Sequence, residues 1–105
     1  MSVNQYTTVG EALADVARRG YTANFELVDG TFTDMTTGRT FAPELLTIVE
    51  HHRFEGASDP DDMAIVYAIK TRDGTRGVLV DAFGTYAMPG LGEFLRHVKI
   101  SESPQ

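Results

Sequence analysis

Residues 64–82 read AIVYAIKTRDGTRGVLVDA, and how this stretch folds back on itself decides the architecture. β-Branched and aromatic residues dominate both arms, the composition of strands. Between them stands Asp73-Gly74, a residue pair suited to a two-residue hairpin turn because both positions tolerate positive φ. A two-residue turn sets Ile69 opposite Val78, Tyr67 opposite Val80 and Ile65 opposite Ala82, so that these six share one face. Ala64, Val66 and Ala68 then lie beside Leu79, Asp81 and Phe83 on the other. That second face is too apolar for solvated surface and asks for a cover.

Working outward, TIVEHHRFEG (47–56) reads as a preceding strand over about 47–55. If Ile48 and Phe54 both turn toward the helices, Glu50 and His52 go with them, and His51, Arg53 and Glu55 point the other way. FAPELL (41–46) places Pro43 at the opening of a single helical turn. Further upstream, Tyr21, Ala23, Phe25 and Leu27 alternate before Asp29-Gly30, which predicts a hairpin with strands near 22–28 and 31–35. Val9, Ala12, Leu13 and Val16 mark one face of a helix over 9–19, with Thr8 and Glu11 as a capping box and Gly20 as its stop. Leu91, Phe94, Leu95 and Val98 repeat that spacing behind Pro89-Gly90.

These elements predict one α+β domain over residues 1–105, ordered from about 8 to 99. An N-terminal helix, a four- or five-stranded, mostly antiparallel sheet and a C-terminal helix follow in order, with both helices on one sheet face. A chain of 105 residues, 42% hydrophobic and 10% aromatic, has material for one modest core. Its 9 basic and 15 acidic residues leave a net charge of −6, which repels nucleic acid and anionic membrane surfaces. No stretch reaches the ~20 apolar residues of a membrane span. The absence of cysteine fits a reducing compartment, so the expected location is cytoplasmic.

Three groups of residues carry candidate chemistry. On the open sheet face His51, Arg53 and Asp81, with Tyr67 as a possible fourth member, suit acid/base work and anion binding. Arg53, Glu55, Asp59, Asp61 and Asp62 set a cation beside an acidic loop, a candidate recognition surface. Asp34, Thr36, Thr37, Gly38 and Thr40, in TFTDMTTGRT (31–40), resemble the loop with which phosphoribosyltransferases and phosphoribosylpyrophosphate synthetases hold phosphate. Here Thr33 stands where the first acid belongs, one residue is missing before the Thr pair, and a hairpin replaces the buried parallel strand, so a Thr/Gly turn is preferred.

No metal and no cofactor are expected. His51 and His52, beside Glu50, Glu55 and His97, are strand neighbours that point to opposite faces and so cannot chelate one ion together; only a mixed set such as His51 with Glu55 and a loop acid remains, and the cysteines usual for structural zinc are absent. The acids of GASDPDD lack the later Glu of an EF-hand.

The run HHRFEGASDPDDMAIVYAI (51–69), followed by GVLVDAFGTY (77–86), resembles a family of short bacterial proteins of about this length and no established function. Some members are labelled phosphoribosylpyrophosphate synthetases; such enzymes are far longer and need separate ATP and ribose-phosphate sites, so the label is unsupported. The resemblance implies no catalytic residues. The expected function is a non-enzymatic binding or interaction protein that homodimerises through the apolar strip Ala64, Val66, Ala68, Leu79 and Phe83. The alternative is a small-molecule or phosphate-ligand binder, or a small enzyme, working through His51, Arg53, Asp81 and Tyr67.

Overall fold

The structure, a computed structural model, describes residues 9–54, 64–82 and 90–101. Helix α1 spans Val9–Arg18, and strands β1 (Ala23–Val28), β2 (Thr31–Asp34) and β3 (Thr40–Phe41) follow. A 3-10 turn at Pro43–Leu45 leads into β4 (Leu46–Phe54), then β5 (Ala64–Thr71) and β6 (Arg76–Ala82). A short helix α2 (Leu91–Leu95) precedes β7 (Lys99–Ile100). The helix–turn–strand punctuation follows local chemistry. Gly20, at φ 103°, ends α1 in a Schellman arrangement, in which Tyr21 N donates to Val16 O at 3.0 Å and Gly20 N to Ala17 O at 3.0 Å. Asp29 and Gly30, at φ 51° and 79°, form the expected two-residue turn, with Val28 paired to Thr31. The capping residue Thr8 lies outside the described residues.

The sheet differs from the expected one. It has seven strands in the order β3-β2-β1-β6-β5-β4-β7, mixed in direction and curled into a half-barrel. It is therefore neither a four- or five-stranded sheet nor wholly antiparallel. β1 runs parallel to β6, and β7 parallel to β4. Two causes hid this arrangement: β3 and β7 are two residues long, too short to leave a period, and parallel partners are joined by distant segments rather than by a turn.

Register accounts for the second correction. The loop of the central hairpin holds three residues, Arg72, Asp73 and Gly74, because Thr71 N donates to Thr75 O at 2.8 Å and Gly74 N to Thr71 O at 3.0 Å. Gly74, at φ 95°, takes the left-handed position that follows a type I turn. Asp73 fastens this loop: its carboxylate accepts from the Thr71 hydroxyl, from Thr75 N at 3.1 Å and from Arg39 Nη2 at 2.5 Å. These bonds hold its pKa far below the usual carboxylate range, the Thr71 bond foremost. Relative to a two-residue turn the pairing slips by one, giving Tyr67↔Leu79, Ile65↔Asp81 and Ile69↔Gly77. A slip of one residue turns β6 over relative to β5.

β4 adds a reversal of its own. Ile48 pairs with Ile69 and Glu50 with Ala68, leaving Val49 as a bulge. Ile48 thus lies on one face and Phe54 on the other, where the regular alternation had put them together.

Each face has its own helix, so the two helices do not share one. The inner face gathers Phe25, Leu27, Phe32, Phe41, Leu46, Ile48, Ile69 and Leu79, closed by Leu91 and Val98 from the α2 segment. Phe25 and Phe32 sit 4.8 Å apart between ring centroids, and Phe94 of α2 stacks on Phe32 at 5.6 Å. In sheet order β2 and β4 are four places apart, about 19 Å in a flat sheet. Residues 94–99 link Phe32 on β2 to Thr47 on β4, and the curl of the sheet brings those strands within reach.

On the outer face α1 lays Ala12, with Val9 and Leu13, against Phe54, Val66 and Val80. Its C-terminal end is tied down by Arg19, whose Nη1 and Nη2 donate to Glu50 Oε1 and Oε2 at 2.8 and 2.7 Å. The described part of the strip expected to mediate dimerisation is thereby covered within the chain. Ala64, Val66 and Ala68 are buried on the α1 face, Leu79 is buried in the inner core, and Phe83 lies outside the described residues.

Two outcomes check this architecture. A Cβ on Gly77 would lie 2.6 Å from Ala23 Cβ and 2.7 Å from the Ala23 carbonyl carbon, so Gly77→Ala must part the parallel β1–β6 seam. Urea unfolding should show a loss of about 3 kcal/mol. Gly92→Ala, with nothing within 4 Å of its Cβ, should be neutral or slightly stabilising. The second outcome concerns Glu50, whose pKa is lowered from 4.5 to about 2 chiefly by the Arg19 bonds, against burial and with further help from His52. Because the folded pKa lies below the unfolded one, its stabilisation is present above pH 4.5 and fades as pH falls toward 2. Glu50→Gln should cost about 1 kcal/mol at neutral pH, and the difference from wild type should vanish as the medium is acidified through that window.

Candidate functional site

Two cross-strand rows at one end of the inner face hold His51, Arg53, Tyr67 and Asp81. Arg53 on β4 pairs with Ile65 on β5, which pairs with Asp81 on β6. In the next inner row His51 pairs with Tyr67, and Tyr67 with Leu79. Because paired residues share a face, Arg53 and Asp81 flank Ile65 while the His51 and Tyr67 rings stack alongside, 6.2 Å between centroids and 28° from parallel. Arg53 and Asp81 stand two strand spacings apart, on the order of 10 Å between backbones. The expected register separated Tyr67 from Asp81; the hairpin slip and the Val49 bulge together bring His51, Arg53, Tyr67 and Asp81 onto one surface.

Burial grades across the group. His51 and Arg53 are exposed, while Tyr67 and Asp81 are half-buried, with Tyr67 packed against the inner core. The pKa of Tyr67 is raised by burial first and by the charge of Asp81 second, with Arg53 pulling it down. Its phenol therefore stays protonated through the neutral range and is available as a donor. Burial likewise raises the pKa of Asp81. The arrangement offers a guanidinium fork, an apolar floor at Ile65 and a carboxyl acceptor in one row, with a pair of flat rings in the row beside it.

His52 belongs elsewhere. It faces α1, where its Nε2 lies 2.7 Å from Glu50 Oε2, so it works in the Arg19–Glu50 tether and not with His51. Among the described residues no group of three or more His, Asp or Glu side chains is placed to hold a metal ion. Glu55, Asp59, Asp61 and Asp62 lie outside the described residues.

Asp34, Thr36, Thr37, Gly38 and Thr40 form the β2–β3 turn. Asp34 is 3% exposed, and its Oδ1 accepts from Thr36 N at 2.9 Å. Gly38 N donates to Asp34 O at 2.7 Å, and Arg39 N to Thr37 Oγ1 at 3.3 Å. Three backbone N–H groups of this loop are thus already engaged within the turn itself. Ile65 was not singled out from the sequence as a site residue, and its only signal is its place midway between two charges, which becomes visible once the register is known.

No family model, no curated protein and no solved structure matches this chain. No described helix is long and apolar enough to cross a membrane.

The electrostatic coupling is directly measurable. In an ultraviolet titration, with Tyr67→Phe subtracted to isolate one phenol, Asp81→Asn should lower the Tyr67 pKa and Arg53→Gln should raise it, following the signs of the two charges. Asp81→Asn should also raise stability at neutral pH. A carboxyl whose folded pKa exceeds its unfolded value is destabilising when ionised, so the gain should disappear once the medium is acidic enough to protonate both states.

Proposed function

We propose that this protein is a small-molecule-binding domain whose ligand is a planar carboxylic acid with a hydrogen-bond donor at its far end. The observation that carries this reading is the linear order Arg53, Ile65, Asp81 beside the stacked His51–Tyr67 pair. Arginine presents paired N–H groups that match a carboxylate fork, the two rings give a flat apolar wall, and Asp81 accepts from a hydroxyl or amine. Tyr67, held neutral, donates to the ligand at mid-length. Opposite charges about 10 Å apart across an apolar floor select by length as well as by charge.

Self-association has less support than ligand binding, since Ala64, Val66, Ala68 and Leu79 of the strip that suggested it are buried within the chain. A cysteine-free chain suits a reducing compartment, which favours a cytoplasmic metabolite as the ligand.

Titration with 4-hydroxybenzoate, followed by amide NMR, tests the proposal. Saturable shifts should centre on residues 51, 53, 65, 67 and 81, and Arg53→Gln or Tyr67→Phe should weaken binding by about tenfold, near 1.4 kcal/mol. Asp81→Asn should reduce the preference for 4-hydroxybenzoate over benzoate. Shifts scattered over the surface, or affinities indifferent to Arg53, would refute the reading.

A further inference from the structure

The opposite end of the same two strands, on their other face, holds a groove of about 390 Å³ lined by Glu44, Thr47, Lys70, Arg72, Lys99 and Ser101 among others. Its making is a matter of register. Thr47 of β4 pairs with Lys70 of β5 on one side and with Lys99 of β7 on the other, so two lysines flank one threonine on three adjacent strands. Arg72 is brought beside them by the hairpin loop, where its N donates to Leu45 O at 2.8 Å, and Ser101 N donates to Ile48 O at 2.9 Å. The packing of α1 on Phe54, Val66 and Val80 lies toward the other end of these strands.

The charge balance here is anomalous for this molecule. The protein carries −6 overall, yet this groove gathers three of its nine cations against one carboxylate, Glu44. Elsewhere Arg18 is paired with Asp15, Arg19 with Glu50, Arg39 with Asp73 and Arg96 with Glu93. Among the described residues Lys70, Arg72 and Lys99 form no ion pair. Lys70 and Lys99 stand on either side of β4, two strand spacings or about 10 Å apart between backbones, and an anion seated over Thr47 is attracted by both.

We infer that this groove is a binding site for the phosphate group of a small phosphorylated compound, held by Lys70, Lys99 and Arg72 with the hydroxyls of Thr47 and Ser101 as further donors. Point-charge ammonium groups converging from separate strands suit a tetrahedral anion better than a planar carboxylate. The volume is that of a small-metabolite site. The negative charge of the rest of the molecule disfavours a polyanion such as nucleic acid, which would meet that surface over many contacts, and leaves a compact anion as the fitting partner. This site does not depend on the proposed carboxylate site, from which it differs in face, strand end and ligand chemistry.

Amide NMR with inorganic phosphate, against sodium chloride at matched ionic strength, decides the matter. Saturable shifts are expected at residues 47, 70, 72, 99 and 101, stronger than those given by citrate. The double variant Lys70→Gln/Lys99→Gln should lose affinity by about tenfold or more. Glu44→Gln should tighten binding, and Arg96→Gln, which removes a cation elsewhere, should leave it unchanged. Shifts that follow ionic strength alone, that persist in the double variant or that are larger with citrate would overturn the assignment.

Discussion

The three-residue loop Arg72-Asp73-Gly74 is the constraint on which the rest of the molecule depends. Side chains alternate along a strand with a period of two, so one residue more in a turn inverts every side chain of the strand that follows. Asp73, bonded to Thr71, Thr75 and Arg39, supports the longer loop, and Gly74 supplies the left-handed residue it requires. From that choice follow Leu79 in the inner core, Val80 under α1 and Asp81 beside Ile65. The Arg39 contact also joins the β2–β3 turn to this hairpin, tying distant segments of the half-barrel together.

The Val49 bulge completes what the hairpin begins. β4 serves two cores, offering Leu46 and Ile48 to the inner cluster and Phe54 to the outer one, which a regular strand could not do with these residues. The same irregularity sorts adjacent histidines into different tasks: His51 stacks on Tyr67, while His52 reinforces the Arg19–Glu50 tether. Polar side chains consequently collect at opposite ends of β4 and β5, on opposite faces, with the packed core between them.

Acidity is unevenly spread over this frame. Several arginines are neutralised by carboxylates close by, and one, Arg76, lies over the Tyr21 ring at 5.6 Å. Lys70, Arg72 and Lys99, which form no ion pair among the described residues, gather where β4, β5 and β7 meet. A net charge describes how the molecule behaves at long range; local arrangement decides which small ions it can seat.

Much of the local structure was legible in the chain itself. The period of Val9, Ala12, Leu13 and Val16 marked α1, Gly20 its stop, Asp29-Gly30 the first turn and the 64–82 run a hairpin, because each depends on neighbours within a few residues. His51, Arg53, Asp81 and Tyr67 were also legible as unusual side chains in otherwise apolar strands. Which of them meet was not. Faces depend on single-residue shifts at Val49 and at Asp73-Gly74, parallel pairing of β1 with β6 leaves no turn to announce it, and Lys99 reaches Thr47 through a strand of two residues. The sequence by itself determined the longer elements and the inventory of reactive groups; only the tertiary structure decided the two-residue strands β3 and β7 and which face each group occupies, since these are set by hydrogen bonds and packing between segments far apart in the chain.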